Sequence, residues 1–589
     1  MAADDRHAEP LGRPRQAVEH LLCVVAVGAD ERVDERERPA AHGTNVRHVG
    51  GDCRGAGREW VGGEQGRGDG LAAEDELALA VRDEGGVVAV GREAAALEQH
   101  QLAFGPQAGG GADGGGEMSE LCHDGSASVL QRVSAVNVGL ESFADAVRVQ
   151  GAEVVDVDWR PPGGGDPDVV ALLERAWGAH GERIELGNAA ALRAIEGARP
   201  HAVTVAPAGE AIAGLEDEML LHAGPPIAWE RVCDPQRRAL VAACLLEGWA
   251  ADRDAAAARL AAGEIRLRCG NELGHVGPMT GVCSPSMAVW VVQDEGSGAR
   301  AFSTLNEGPG RTLWFGVGDD EAVEKARFLR DRAGPLLARL LERTGPIDVL
   351  DLAAQGLQMG DELHMRSQAT TNLLWRRLLP AFAAEGGEDV GAALTANHLF
   401  FLNLAMAAAK CASLAAAGSG GSTLVTLMSR NGSDMALQLA GLPGRWFIAP
   451  AAPVQDALLR EGFAAEDAAL DIGDSAVLEC IGLGGMAVAA APAVAAFFGG
   501  GAADVAARSR LMGEICAGRS ARFTLPALDY AGSPVGIDAR LVVELGVAPQ
   551  ITTGVLHATQ GAGQIGAGIA HQPLEPFRDA LAALVAGLP

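Results

Sequence analysis

Residues 1–117 contain no serine, lysine, isoleucine or tyrosine, and this break constrains the fold more than any motif does. Serine and lysine are among the commonest residues of ordinary domains. The segment mixes Ala, Gly, Arg, Glu, Asp and Val without a sustained 2.0- or 3.6-residue period, so it lacks the apolar patterning that specifies a core. It ends in the glycine-rich run 109–116, and Met118 follows almost at once. Two readings fit. One is a low-complexity regulatory tail. The other, which the missing residue types favour, is translation of upstream GC-rich DNA from a start codon placed too early. Either way, residues 1–117 are expected to be a non-native or disordered extension, and the working fold to start near Met118.

The 589 residues leave room for roughly three to four domains of about 150 residues each. The chain is 48% hydrophobic, enough to bury large cores. A net charge of −30 with no Lys/Arg-rich run argues against nucleic-acid binding, which needs a basic face. Ten cysteines are scattered with no Cys-x-x-Cys pair, which argues against a structural zinc site and for reduced thiols in a cytoplasmic protein. The apolar stretch 20–28 is too short for a secretory signal. The stretch 400–418 carries Asn403 and Lys410, so it reads as a buried Ala-rich helix and not as a membrane span.

From residue 132 the pattern becomes ordered. Val133–Val138 reads as a strand, Leu140, Phe143 and Val147 as one face of a helix, and Val154–Trp159 as a second strand. Helices follow at 168–178 and 188–197, then a strand at 202–206. This alternation predicts an α/β protein whose 118–230 domain is a Rossmann-like parallel sheet. The turn at Gly139 has one glycine where a dinucleotide fingerprint needs three, so NAD binding is not expected. Residues 231–420 read as an α+β domain with a helical part. Its helices are expected at 234–263, 319–344, 369–385 and 388–416, and its strands near 264–268, 287–293 and 299–305. Residues 421–589 read as a C-terminal α+β domain, with strands near 423–429, 435–440, 522–525 and 551–557 and helices near 483–498 and 501–517.

Function concentrates in loops on rigid scaffolds. Arg268–Gly281 sets His275 among glycines, where an imidazole can polarise a carbonyl; the alternative is a turn with a structural histidine. Read as a helix, Met359–Arg366 pairs Asp361 with His364 and Glu362 with Arg366; the alternative is a solvated charged face. A divalent metal on Asp361 and His364 is left open, because two ligands do not make a site. Asn403 and Lys410 lie seven residues apart on one helix face, and a lysine on an apolar helix either pairs with an acid or binds an anion. Gly418–Thr423 resembles an anion cradle ending in Ser422 and Thr423, yet lacks the Lys-Ser/Thr of a P-loop. Arg430 can hold a carboxylate or phosphate by two parallel hydrogen bonds, with Asn431 beside it; the alternative for Arg-Asn-Gly is a hairpin turn. Asp471–Ser475 leads through Glu479 to Gly482–Gly485, and a glycine-rich turn at a helix N-terminus offers N–H groups to an anion. Asp474, Ser475 and Gly484 are the candidates there. No Gly-x-Ser-x-Gly elbow, His-Glu-x-x-His or kinase set is present. The inventory suits small anionic substrates bound without an organic cofactor.

Taken in order, these stretches resemble the YlbE/AllG-like family of bacterial proteins. The resemblance is carried by Asn137–Leu140, Val155–Pro162, Leu221–Ile227, His275–Met287, Leu305–Gly308, Met359–Arg366, Asn397–Lys410, Gly421–Thr423, Met428–Gly432, Asp471–Glu479, Pro526–Asp529 and Gly561–Gly568. It covers nearly all of 130–570 and nothing before Met118. The family's loop before Gly-Pro-Met often carries consecutive histidines; here Asn271-Glu272 precede His275, which argues against a His-rich metal site.

The resemblance implies a subunit of an oxamate carbamoyltransferase complex in allantoin catabolism. FdrA/AllF-like and YlbF/AllH-like subunits are its partners, and oxalurate and phosphate go to oxamate and carbamoyl phosphate. Carbamoyl transfer needs a phosphate cradle, for which Ser422, Thr423 and Gly482–Gly485 are candidates. It needs a carboxylate partner, Arg430 or Arg366, and a donor to the carbamoyl oxygen, His275. His364 or Glu362 is the candidate for proton transfer. Two other readings stand beside this one. One is a non-catalytic assembly subunit that binds small anions and an FdrA-like partner; the other is an unrelated ligase or oxidoreductase using the Rossmann-like domain. Convergence of the polar loops on one place favours catalysis; their dispersal favours assembly.

Overall fold

The computed structural model describes residues 26–27, 80–83, 86–89, 134–138, 141–151, 153–157, 160–497 and 500–589. The chain divides into two compact units, residues 1–161 and 162–589. In the first, β1 (Ser134–Val138), α1 (Glu141–Val149) and β2 (Glu153–Val157) form a βαβ unit. The two strands run parallel, from Ser134 opposite Glu153 to Val138 opposite Val157. Ala26–Val27 adds antiparallel to β1, and Ala80–Asp83 pairs antiparallel with Gly86–Ala89. The Gly139 turn lies outside the described residues.

The parallel sheet does not continue as the sequence suggested. The strand expected at 202–206 exists as β3 (Pro200–Pro207), but it belongs to the second unit. It pairs antiparallel with β4 (Ala288–Asp294) on one side and Ile347–Asp348 on the other. Arg300–Thr304 completes this four-stranded antiparallel sheet at the far edge of β4. Alternating apolar residues specify a strand, but the partner is chosen by burial, and β3 found one more than eighty residues downstream. A Rossmann-like domain over 118–230 is therefore not what these strands build.

The core of the second unit is α2 (Phe400–Ala416), which packs against β4 and is apolar on nearly every face. Trp290 of β4 meets the Phe400 ring edge-on at 5.9 Å. Helix 388–416 is not continuous: Glu388–Thr395 and Phe400–Ala416 are bent by 78°. No single helix among the described residues is long and apolar enough to cross a membrane. The helix expected over 234–263 breaks after Glu247, where Gly248 takes a left-handed cap (φ 74°), and resumes at Arg253. The helix expected at 483–498 is a series of short tight turns, Gly484–Met486, Val488–Ala490 and Pro492–Phe497.

A second sheet contains the hairpin of β5 (Val425–Asn431) and β6 (Asp434–Leu439). Phe447–Pro450 extends it beyond β6, and the two-residue β7 (Ile472–Gly473) extends it beyond β5. The short α3 (Val477–Cys480) follows β7. A third sheet has Gln564–His571 at its centre, with β8 (Gln550–Leu556) on one side and Val454–Leu459 on the other. The loops that matter below leave these elements and turn inward.

Candidate active site

Residues far apart in sequence close on the segment Asp471–Gly485. The hub is Asp474, which is fully buried. Its Oδ1 accepts from Gly224 N (2.8 Å), Asn271 Nδ2 (2.9 Å) and Ser429 Oγ (2.5 Å), and its Oδ2 from Gly277 N (3.0 Å). A buried carboxylate needs such donors, and here each comes from a different part of the chain. The approach is close. Gly473 has φ 119°, and a Cβ there would lie 2.4 Å from Met279 N, so only glycine fits against the Gly-Pro-Met turn.

Next to the hub, two glutamates enclose a histidine. Glu479 of α3 accepts from His364 Nδ1 at 2.8 Å and from Gly485 N at 2.9 Å. A carboxylate only accepts, so Nδ1 carries the proton and, in the neutral ring, Nε2 carries the lone pair. Glu362 accepts backbone N–H bonds from His364 (3.2 Å), Met365 (2.5 Å) and Arg366 (3.1 Å). Burial nevertheless pushes the Glu362 carboxyl above the usual carboxylate range. Between Glu362 and His364, the buried Leu363 is held at φ 74°, a left-handed conformation costing a non-glycine residue on the order of 1 kcal/mol. That strain puts the two polar side chains on one inward-turning loop. The loop is not the helix expected over 359–366. Asp361 instead accepts from Thr370 N (2.7 Å) and Oγ1 (2.8 Å), and Arg366 Nε lies 3.6 Å from its other oxygen.

A third cluster adjoins these two. Arg430 grips Asp471 with both Nε (2.7 Å) and Nη2 (3.2 Å) and donates through Nη1 to Gly473 O (2.6 Å). Thr553 and Gln572 also donate to Asp471, at 3.4 and 3.2 Å. Thr552, one residue earlier on β8, reaches Glu362 at 3.4 Å. Among the described residues, no group of three or more His, Cys, Asp or Glu side chains is placed to hold a metal ion.

A family model described as oxamate carbamoyltransferase subunit AllG matches residues 265–475. Oxamate carbamoyltransferase subunit AllG of Escherichia coli K12 is 41% identical over 409 residues, 68% of this chain and 97% of that protein. The chain belongs to the AllG family. Another relative, the protein YahG of the same organism, is 37% identical over 77% of this chain and 97% of its own length. A crystal structure of a conserved protein from Enterococcus faecalis V583 shares the fold, with a TM-score of 0.67 and 36% identity over 69% of this chain and 98% of that one. The matched AllG segment takes in Asn271, His275, Glu362, His364, Lys410, Arg430 and Asp474, and it stops just short of Glu479.

In this AllG-family chain the predicted residues fall into two sets. Asp474, Glu362, His364, Gly484 and Arg430 meet as described, with Ser475 buried beside Asp474. His275 shares the loop that reaches Asp474 through Gly277 N, but its wholly buried ring lies against Gly270 with neither nitrogen hydrogen-bonded, and burial pulls it down to about 3. Arg366 borders the set through Asp361 and is partly exposed. Lys410 reaches in from α2. The others serve elsewhere. Asn403 bonds Asn306 Nδ2 (2.8 Å) and Thr304 O (2.7 Å). Asn431 caps the β5–β6 turn by accepting from Ser433 N and Asp434 N. Ser422 and Thr423 donate to Asn188 Oδ1, and Thr423 also donates to Asp538 Oδ1 at 2.7 Å. Gly484 N and Gly485 N are spent on Glu362 O and Glu479, so this turn does not present those groups to an anion.

Sequence reasoning passed over Glu479 and Asn271. The signal for Glu479 was present: it is the single charge between Ser475 and Met486, in a run otherwise fit for a core. A cleft of about 400 Å³ lined by Arg237, Arg238, Arg253, Arg311 and Trp229 contains none of the predicted site residues.

Proposed function

We propose that this chain carries out carbamoyl transfer as a subunit of an oxamate carbamoyltransferase complex in allantoin catabolism, with FdrA/AllF-like and YlbF/AllH-like partners. A phosphate oxygen attacks the carbamoyl carbon of oxalurate, the carbon–nitrogen bond to the oxamate half breaks, and carbamoyl phosphate and oxamate leave. The attacking phosphate loses a proton and the departing nitrogen gains one. His364 Nε2 takes the first and returns it as the second, while Glu479 holds the ring in the required tautomer and stabilises its charged form. The observation that carries the reading is the buried Glu479–His364 hydrogen bond of 2.8 Å beside the Asp474 hub. The reading requires no organic cofactor.

The full chain, co-expressed with its partner subunits, is assayed for carbamoyl phosphate released from oxalurate and phosphate. His364→Gln is expected to lower kcat by about 10²–10⁴-fold, the usual contribution of a positioned acid–base group. Full activity of the partners without this chain, or wild-type kcat in His364→Gln, removes the catalytic reading and leaves an assembly role.

A further inference from the structure

The chain has two lysines, and one of them, Lys410, sits on the core helix α2. A lysine so placed either pairs with an acid or receives an anion. The structure removes the first choice. Lys410 is 5% exposed. Its ammonium faces Asp474 and the thiols of Cys269 and Cys480, and among the described residues nothing hydrogen-bonds to it and no carboxylate lies within ion-pair distance. Asp474 is no counter-ion in reserve, because its two oxygens already accept four hydrogen bonds. The thiols stay protonated: burial pushes Cys269 up to about 12 and Cys480 higher still. Cys269 Sγ is itself spent, donating to Gly224 O at 3.0 Å.

A second observation points to the same place. Asn271 Oδ1, two residues after Cys269, and Glu479 Oε2, next to Cys480, are buried without a hydrogen-bond partner. Buried polar atoms are nearly always partnered, and orphans gathered in adjoining loops mark where a polar ligand completes them. An ammonium without counter-charge on a residue this little exposed is worse still, and burial pulls Lys410 below the usual lysine range.

We propose that Lys410 receives the anionic group of the substrate, a carboxylate or a phosphate oxygen, between loops 269–275 and 474–480. This rests on the carbamoyl-transfer reading for the identity of the ligand, since oxalurate, oxamate and phosphate are all anions. It does not need that reading for the binding itself. The orphan acceptors of Asn271 and Glu479 call for a ligand that donates as well as accepts, as an amide carboxylate does.

The test titrates inorganic phosphate and, separately, oxamate into the full chain with its partner subunits by calorimetry. Lys410→Met is expected to weaken one of them by 30-fold or more; loss of phosphate names the phosphoryl oxygen, and loss of oxamate names the carboxylate. Because the chain has two lysines, ¹⁵N-lysine labelling gives two side-chain signals, and the anion should move that of Lys410 and leave that of Lys325. Lys410→Gln serves where the methionine variant does not fold. Wild-type protein that binds neither anion, or variants that bind both within threefold of wild type, overturns the proposal. Anion binding that depends on Lys410 without any carbamoyl phosphate formed would keep this inference and refute the proposed reaction.

Discussion

His275 should make the fold sensitive to mild acid. Its ring is wholly buried, neither nitrogen has a hydrogen-bond partner, and desolvation pulls its pKa from 6.5 to about 3. A base depressed in the folded state binds its proton only after unfolding. Stability is therefore complete above the unfolded value and is lost as pH falls through the window from 6.5 to about 3. The gap corresponds to a ceiling of about 5 kcal/mol, at 1.36 kcal/mol per pH unit. Linkage gives the course: about 2 kcal/mol is lost between pH 7.5 and pH 5, and about 3 kcal/mol by pH 4. The assay is urea unfolding at pH 7.5, 6 and 5 for the wild type and His275→Met, a side chain of similar reach with nothing to titrate. His222 is also buried and depressed by desolvation, but it is present in both proteins and cancels in the difference. The wild type should lose about 2 kcal/mol more than the variant over that range. Parallel pH curves for the two proteins would refute the argument, because they would mean that water or a counter-charge reaches the ring.

Two further outcomes follow from the same geometry. Glu479→Gln keeps the shape and an acceptor for His364 Nδ1 but trades a charge-assisted hydrogen bond for a neutral one, a loss of about 1–2 kcal/mol. The expected readout is a fall in kcat of roughly 5–30-fold with KM within twofold; a change confined to KM would show that Glu479 does not act through His364. Arg430→Met strands a fully buried Asp471 and should cost about 3–5 kcal/mol in denaturant unfolding, partly recovered in the double variant with Asp471→Asn. A loss below 1 kcal/mol would contradict the assignment of this pair as a structural clamp.

Much of the secondary structure was legible because periodicity is local. The strands at 288–294, 300–304 and 550–556 and the helix at 368–385 lie where alternation or amphipathicity put them, within a residue or two. What failed was pairing. β3 reads as a strand from its own residues, but nothing in Pro200–Pro207 tells that its partner is Ala288–Asp294 and antiparallel, because that choice depends on a core assembled from distant segments. Charge spacing misled in a related way. Asp361, Glu362, His364 and Arg366 fit i, i+3 and i, i+4 helical pairs, yet the segment is an irregular loop, and a buried carboxylate that takes three backbone N–H groups is what holds it.

The candidate site shows why glycine-rich loops are poor guides to ligand contacts. The loops at 418–423 and 482–485 looked like anion cradles because glycine leaves N–H groups accessible. In the fold those N–H groups are already taken, by Asn188 at Thr423 and by Glu362 and Glu479 at Gly484 and Gly485. The acceptors are an amide oxygen, a backbone carbonyl and a carboxylate, so the chain itself supplies what its glycine-rich loops recognise. The chemistry left for a substrate resides in side chains that this clamping does not consume: the second nitrogen of His364, the ammonium of Lys410 and the carbonyl of Asn271. Each comes from a different segment, 271, 364 and 410, so no local motif could have shown them together. A site built this way loses its geometry when a clamp is cut. Asp474→Asn should therefore abolish anion binding at Lys410 without touching any ligand atom, and retention of that binding would mean that the hub does not organise the site.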